Sequence, residues 1–225
     1  MQDVTGFILA GGKSTRMGSD KALLEFDGET LLARTLGKVR AVAERVCIVG
    51  AREKFELFGP VIEDVYLEHG PLGGIHAALQ SSTTELNLML AVDMPFLPEA
   101  ALRYLVEQAR SCDDVVVIPR VNGYRQTLCA VYRLEFAELA EEALRAGNNK
   151  IDPLYARTSV RVLEEAELAE VDIVPAMFDN LNTPQDLERA FRAGPAQTAW
   201  ATRRSPISSS RTYPRHSATT SCSTT

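Results

Sequence analysis

A short apolar run, Gly6-Phe-Ile-Leu-Ala10, passes without a break into a loop holding three glycines, Gly11, Gly12 and Gly18, and three cations, Lys13, Arg16 and Lys21. The run reads as a buried first strand. Glycine has no Cβ, so a glycine-rich backbone can take positive φ and close its N–H groups on an oxyanion. Arginine adds a planar fork of donors for phosphate oxygens, and lysine a mobile point charge. A strand that empties into such a loop favours an α/β layering, with a polyphosphate held at the carboxyl ends of the strands.

Two commoner phosphate loops are excluded by spacing. Gly12-Lys13-Ser14 imitates the end of a Walker A loop, but the glycine required five residues earlier is Phe7, inside the strand. The dinucleotide pattern fails as well, because counting from Gly11 its second glycine falls on Lys13. A plain glycine-rich turn with solvated cations is the remaining alternative.

Strand-like and helix-like segments alternate along the chain, as in α/β domains with a mostly parallel sheet. Leu32, Leu36, Val39 and Ala43 recur at helical spacing and predict a helix over Thr30–Ala43, with Thr30 as N-cap. Ala22–Phe26 with Asp27-Gly28 reads as an extended piece and a turn. Arg45–Val49 is the next strand, Gly73–Ser82 a helix, and Leu86–Val92 a strand apolar on both faces. A helix follows over Glu99–Arg110, with Pro98 as its start signal. Val115–Ile118 and Thr127–Tyr132 are strands, a helix starts near Phe136 and stops near Gly147, and Pro184–Arg192 is a last helix. The expected organisation is one domain over residues 1–193 and a disordered Ser/Thr/Arg-rich tail over 194–225.

The tail holds four arginines and no acidic residue, so removing its charge from the formal total of −6 leaves −10 on the rest. An acidic body argues against non-specific nucleic-acid binding, and an anionic substrate must meet a local cationic pocket. No apolar run is long enough to cross a membrane, and Met1-Gln-Asp-Val lacks a basic leader segment. Cys47, Cys112, Cys129 and Cys222 are scattered without metal spacing. Together these readings place the protein in a reducing cytoplasm.

Asp93 follows a buried strand and precedes Met94-Pro95, where the chain must turn. A carboxylate at that edge suits Mg²⁺, a hard cation that takes one or two protein oxygens plus phosphates and water; the alternative is a cap for the following helix. Asn180 and Asn182 flank Leu181, so on an extended segment their amides face one way. Glu63 reads as solvated, and His69 and His76 as isolated surface histidines. Tyr124, Arg125 and Gln126, between two strands, are weaker candidates for a second substrate.

Leu9-Ala-Gly-Gly12 with Arg16-Met-Gly18 and Lys21, Val61-Ile-Glu-Asp64, Gly70-Pro-Leu-Gly-Gly-Ile75, Leu90-Ala-Val-Asp-Met-Pro95 and Phe178-Asp-Asn-Leu-Asn-Thr-Pro184 fall in one order. Over about residues 5–193 this set resembles the GT-A-like nucleotidyltransferases, and most of all the bacterial molybdenum cofactor guanylyltransferases. The resemblance implies a three-layer α/β/α fold with a Rossmann-like sheet of the GT-A type. It implies transfer of GMP from GTP to the terminal phosphate of molybdenum-bound molybdopterin, with Mg²⁺ and release of pyrophosphate. On that reading Arg16, Lys21 and Asp93 are catalytic, and Asp93 holds the metal. Leu9, Ala10, Gly11, Gly12, Lys21, Asp64, Gly70 and Asp93 border the nucleotide, and Asn180 and Asn182 the second substrate. Transient contact with molybdoenzymes or cofactor chaperones is a further implied partnership. A cytidylyltransferase is a rival, although that subgroup carries Leu-Ala-Ala-Gly in the first loop. Another small-molecule nucleotidyltransferase and a non-catalytic nucleotide-binding regulator stay open.

Overall fold

The structure is a computed structural model that describes residues 4–11, 20–64, 66, 69–181 and 186. In chain order the strands and helices are β1 (Val4–Leu9), β2 (Glu25–Phe26), β3 (Glu29–Thr30), α1 (Leu31–Arg40), β4 (Arg45–Val49), α2 (Arg52–Phe55), β5 (Val61–Ile62) and α3 (Gly70–Ser81). They continue with β6 (Leu86–Ala91), α4 (Glu99–Arg110), β7 (Val116–Val121), β8 (Tyr124–Arg125), β9 (Cys129–Arg133), α5 (Phe136–Arg145), β10 (Val160–Leu163) and α6 (Glu165–Ala169). The expected tail, and all of the Pro184–Arg192 helix but Asp186, lie outside the described residues.

The main sheet runs β10-β7-β9-β6-β1-β4-β5, with β8 paired to β7. β1 is parallel to both β4 and β6, β4 to β5 and β7 to β10. The exceptions are β9, which runs antiparallel to β6 and to β7, and the short β8, antiparallel to β7. Because β9 is flipped, β7 points the same way as β1 and β6, and their carboxyl ends share one edge.

Alternation along the central strands builds two apolar layers. Val4 and Ile8 of β1, with Leu86, Leu88 and Leu90 of β6, pack among Leu32, Leu36 and Val39 of α1 and Leu102, Leu105 and Val106 of α4. Phe7 and Met89 point the other way, into Leu72, Ile75 and Leu79 of α3 and Phe136, Ala140 and Leu144 of α5. This is the three-layer α/β/α arrangement that strands buried on both faces require. Gly6 sets how near α1 lies, since a Cβ there would stand 2.2 Å from Val39 Cγ1. A side chain at that point would push the helix off the sheet.

Local signals act where the sequence placed them. Thr30 Oγ1 accepts from the Ala33 amide at 3.1 Å and caps α1. Asp27 and Gly28 take φ of 57° and 83°, the double left-handed turn of a two-residue hairpin, and join β2 to β3. α3 begins at Gly70, three residues before the expected start, because Pro71 fits the first turn and extends it toward the sheet edge. Residues 151–178, for which the sequence carried no assignment, hold a 3-10 helix, β10, α6 and a second 3-10 helix.

Candidate active site

The carboxyl ends of β1, β4 and β6 and the start of α3 enclose a cleft of about 640 Å³. Leu9, Ala10, Gly11, Lys21, Asp64, Gly70 and Asp93 all line it. Residues as far apart in sequence as Leu9 and Asp93 thus meet because parallel strands deliver their ends to one side. A smaller hollow of about 230 Å³ lies near Arg40 and Arg110, beside Val4 at the other end of β1.

The chemical centre of the cleft is an ion pair: Lys21 Nζ donates to Asp93 Oδ2 at 3.2 Å, with both side chains about four-fifths buried. Lys21 opens a 3-10 turn, Lys21–Leu23, whose preceding Asp20 accepts from the Ala22 amide through Oδ1 at 3.2 Å. The other oxygen of Asp20 pairs with Lys54 Nζ on α2 at 3.0 Å. Asp20 also lines the cleft, and it was missed in the sequence; its place directly before Lys21 was the available signal. Leu128, another lining residue, carried no signal, because it reaches the edge only through the antiparallel β9.

Asp93 is fixed by its backbone. Its carbonyl accepts from the Leu181 amide at 3.0 Å, and the neighbouring Val92 amide donates to Leu9 at 3.2 Å. The first of these bonds brings the 178–181 segment behind the site. Asn180 is exposed there and is not among the residues lining the cleft. Gly12, Arg16 and Asn182 lie outside the described residues. The amides of Ala10 and Gly11 both donate to the Val49 carbonyl at 3.0 Å. They therefore serve the fold and are not the oxyanion donors that the glycine-rich sequence suggested.

Asp64 stands against α3. Burial pushes its carboxyl above the ordinary range, and Oδ1 is buried with no hydrogen-bond partner among the described residues. A Cβ on Gly74 would lie 3.6 Å from that oxygen. A half-buried carboxylate with an unused acceptor, facing a cleft beside a helix N-terminus, is equipped to receive N–H or O–H donors from a ligand.

Several expectations are corrected. Glu63 is engaged rather than merely solvated: it accepts from the Arg52 amide at 3.2 Å and pairs with Arg52 Nε at 3.5 Å, stabilising the start of α2. His76 is buried, not on the surface, because α3 turns it under Tyr66, whose ring lies edge-on at 5.3 Å. His69 meets the same ring at 5.9 Å. Arg125 is occupied by Asp152 at 3.3 Å and by the Tyr155 ring at 5.4 Å, while Tyr124 is 76% exposed.

Among the described residues no cluster of three His, Cys, Asp or Glu could hold an ion by itself. The donor set nevertheless fits a hard divalent cation of the Mg²⁺ kind, which keeps waters and takes its other oxygens from phosphates. No described helix is long and apolar enough to cross a membrane.

Comparison with known proteins agrees with this geometry. The model of the MobA-like NTP transferase domain matches residues 6–166. The probable molybdenum cofactor guanylyltransferase of Pelotomaculum thermopropionicum is 38% identical over 192 residues, which cover 84% of this chain and 93% of that protein. The molybdenum cofactor guanylyltransferase of Desulfosudis oleivorans is 36% identical over 197 residues, covering 86% and 96%. The crystal structure of molybdopterin-guanine dinucleotide biosynthesis protein A from Archaeoglobus fulgidus superposes with a TM-score of 0.74 at 27% identity, covering 84% of this chain and 97% of that one. A family model that matches residues 6–166, with relatives 36–38% identical over nearly their whole length, makes this chain a member of the MobA-like NTP transferases, the family of the molybdenum cofactor guanylyltransferases.

Proposed function

We propose that the protein transfers the guanylyl group of GTP to the terminal phosphate of molybdenum-bound molybdopterin. A phosphate oxygen of the acceptor attacks the α-phosphorus of GTP. A new P–O–P bond forms, the bond between the α-phosphorus and the α–β bridging oxygen breaks, and pyrophosphate leaves with that electron pair. The nucleophile is already an anion, so no general base and no covalent intermediate are needed, and the protein supplies position and charge. The observation that carries the reading is the Lys21–Asp93 pair, a cation and a carboxylate together in a cleft at the strand ends.

In this reading Lys21 and Arg16 hold the triphosphate and stabilise the leaving pyrophosphate. Asp93 holds Mg²⁺, which when bound neutralises charge on the phosphate oxygens. Leu9, Ala10, Gly11, Gly12, Asp64 and Gly70 border the nucleoside. Since the Ala10 and Gly11 amides are committed to Val49, their part in base recognition falls to the carbonyls and to close backbone approach. Asn180 and Asn182 border the acceptor. The free thiols of Cys47, Cys112 and Cys129 accord with a cytoplasmic setting, and hand-over of the product to molybdoenzymes or cofactor chaperones completes the proposal.

The test is to offer GTP, CTP, ATP and UTP in turn with the molybdopterin acceptor, following pyrophosphate release and product mass. The expected product is the guanine dinucleotide, formed in the presence of divalent metal. A cytosine product would replace the base assignment, and nucleotide binding without pyrophosphate release would make the protein a binder.

A further inference from the structure

The segment that carries Asp93 crosses the carboxyl edge between β6 and α4, over residues 92–98, and its position is set from two sides. Behind it, Leu181 bonds the Asp93 carbonyl at 3.0 Å. In front, Lys38 of α1 donates from Nζ to the Pro95 carbonyl. One turn earlier on the same helix, Arg34 grips the segment that follows Lys21. It pairs with Glu29 at 3.2 Å and Asp27 at 3.6 Å, and its guanidinium lies 5.0 Å over the Phe26 ring. Phe26 in turn meets Phe96 edge-on at 5.9 Å, so the two segments touch each other as well as α1. Two cations one turn apart on a rigid helix thus hold the backbones that present Lys21 and Asp93.

We propose that Lys38 is a positioning residue for phosphate transfer, holding the backbone after Asp93 where the Asp93 carboxylate meets Lys21 and the metal. It acts through the Pro95 carbonyl and lies among the residues of α1, away from those lining the cleft. A residue serving packing alone at this place would be apolar. Instead the fold keeps an ammonium that burial and Arg34 disfavour, with Glu29 partly opposing them. The backbone carbonyl it binds is two residues from the metal-holding carboxylate, and outer groups that orient a ligand are commonly as influential as the ligand's immediate neighbours.

This inference rests on the transferase reading above, and its test separates the two. Wild type, Lys38→Met and Lys38→Arg are titrated with Mn²⁺ in the presence of GTP, followed by electron paramagnetic resonance, and assayed for kcat and KM. In Lys38→Met the Mn²⁺ concentration at half-saturation should rise roughly tenfold and kcat fall by about as much. GTP binding without metal should stay within about twofold of wild type, because the nucleoside edge of the cleft is untouched. Lys38→Arg, which restores a cationic donor, should recover most of the loss. An unchanged Mn²⁺ half-saturation in Lys38→Met overturns the proposal, whatever happens to kcat. If that variant does not fold, Lys38→Gln is judged by the same criterion, and failure of both to fold makes Lys38 a packing residue and overturns it equally. Wild type that neither binds Mn²⁺ with GTP nor releases pyrophosphate would overturn the transferase reading itself.

Discussion

Replacing Lys38 by methionine should stabilise the fold at neutral pH even as it damages the site. Burial and the Arg34 charge lower the Lys38 pKa from 10.5 to about 8. At about 1.4 kcal/mol per pKa unit, the folded state bears roughly 3 kcal/mol for keeping the ammonium charged. The bond to the Pro95 carbonyl returns about 1.5–3 kcal/mol, as hydrogen bonds from charged donors do. Methionine keeps the aliphatic stem and removes both contributions, so a net gain of up to about 1.5 kcal/mol is expected at pH 7. For a fold of this size each kcal/mol is worth roughly 2–4 °C in Tm. The sign then changes with pH in a definite window. Between about 8 and 10.5 the unfolded chain holds a proton that the folded chain has lost, so wild-type stability rises with pH across that window. The advantage of Lys38→Met should therefore shrink from pH 8 upward and be gone by about pH 9.5. Thermal or urea melts of both proteins at pH 7 and pH 9.5 measure it, with other titrating groups cancelling in the difference. A methionine variant less stable than wild type at pH 7, by a margin that does not move with pH, would refute the claim that this ammonium is desolvated.

Three further outcomes are expected. Asp93→Asn should lower turnover on the order of 100–1000-fold, the usual effect of removing one electrostatic catalytic group, with little change in Tm; wild-type turnover at saturating GTP and metal would remove Asp93 from the site. Gly74→Ala should stabilise the fold by up to about 1 kcal/mol of helix propensity, read as a higher Tm, and weaken GTP binding. Its Cβ would meet Leu9 at 3.5 Å and Asp64 at 3.6 Å, ordinary contacts, yet it would fill the cleft beside them, and tight GTP binding by this variant would move the nucleotide elsewhere. Burial lowers the His76 pKa below 6.5, so the unfolded chain binds the extra proton and wild type should lose stability as pH falls through 6.5, whereas His76→Leu should show a flatter curve in melts between pH 7 and pH 5.

Elements whose signals are local were legible from the sequence. Arg45–Val49 and Glu99–Arg110 form with the expected bounds, Thr30 caps its helix, and Asp27-Gly28 makes its turn. Each rests on side-chain period, a cap or a positive φ, which neighbouring residues decide among themselves. The meeting of Lys21, Asp64 and Asp93 was legible for a related reason: in a wound α/β sheet, loops that leave parallel strands share one edge, so strand ends in the sequence become neighbours in space.

Tertiary packing alone decided the rest. The reversal of β9 depends on which sheet position lies open when the chain returns, and alternation reads the same in either direction. His76 shows no pattern that marks it as buried, since burial depends on what covers the helix, here Tyr66. Lys38, beside the apolar Val39 on an amphipathic helix, has the sequence of a solvated lysine. It acquires its depth and its lowered pKa only where the segment after Asp93 crosses it and offers a carbonyl. Period and propensity specify which face of an element is apolar. Which backbone lies over a charged side chain, and so what that charge costs and does, is a property of the assembled fold.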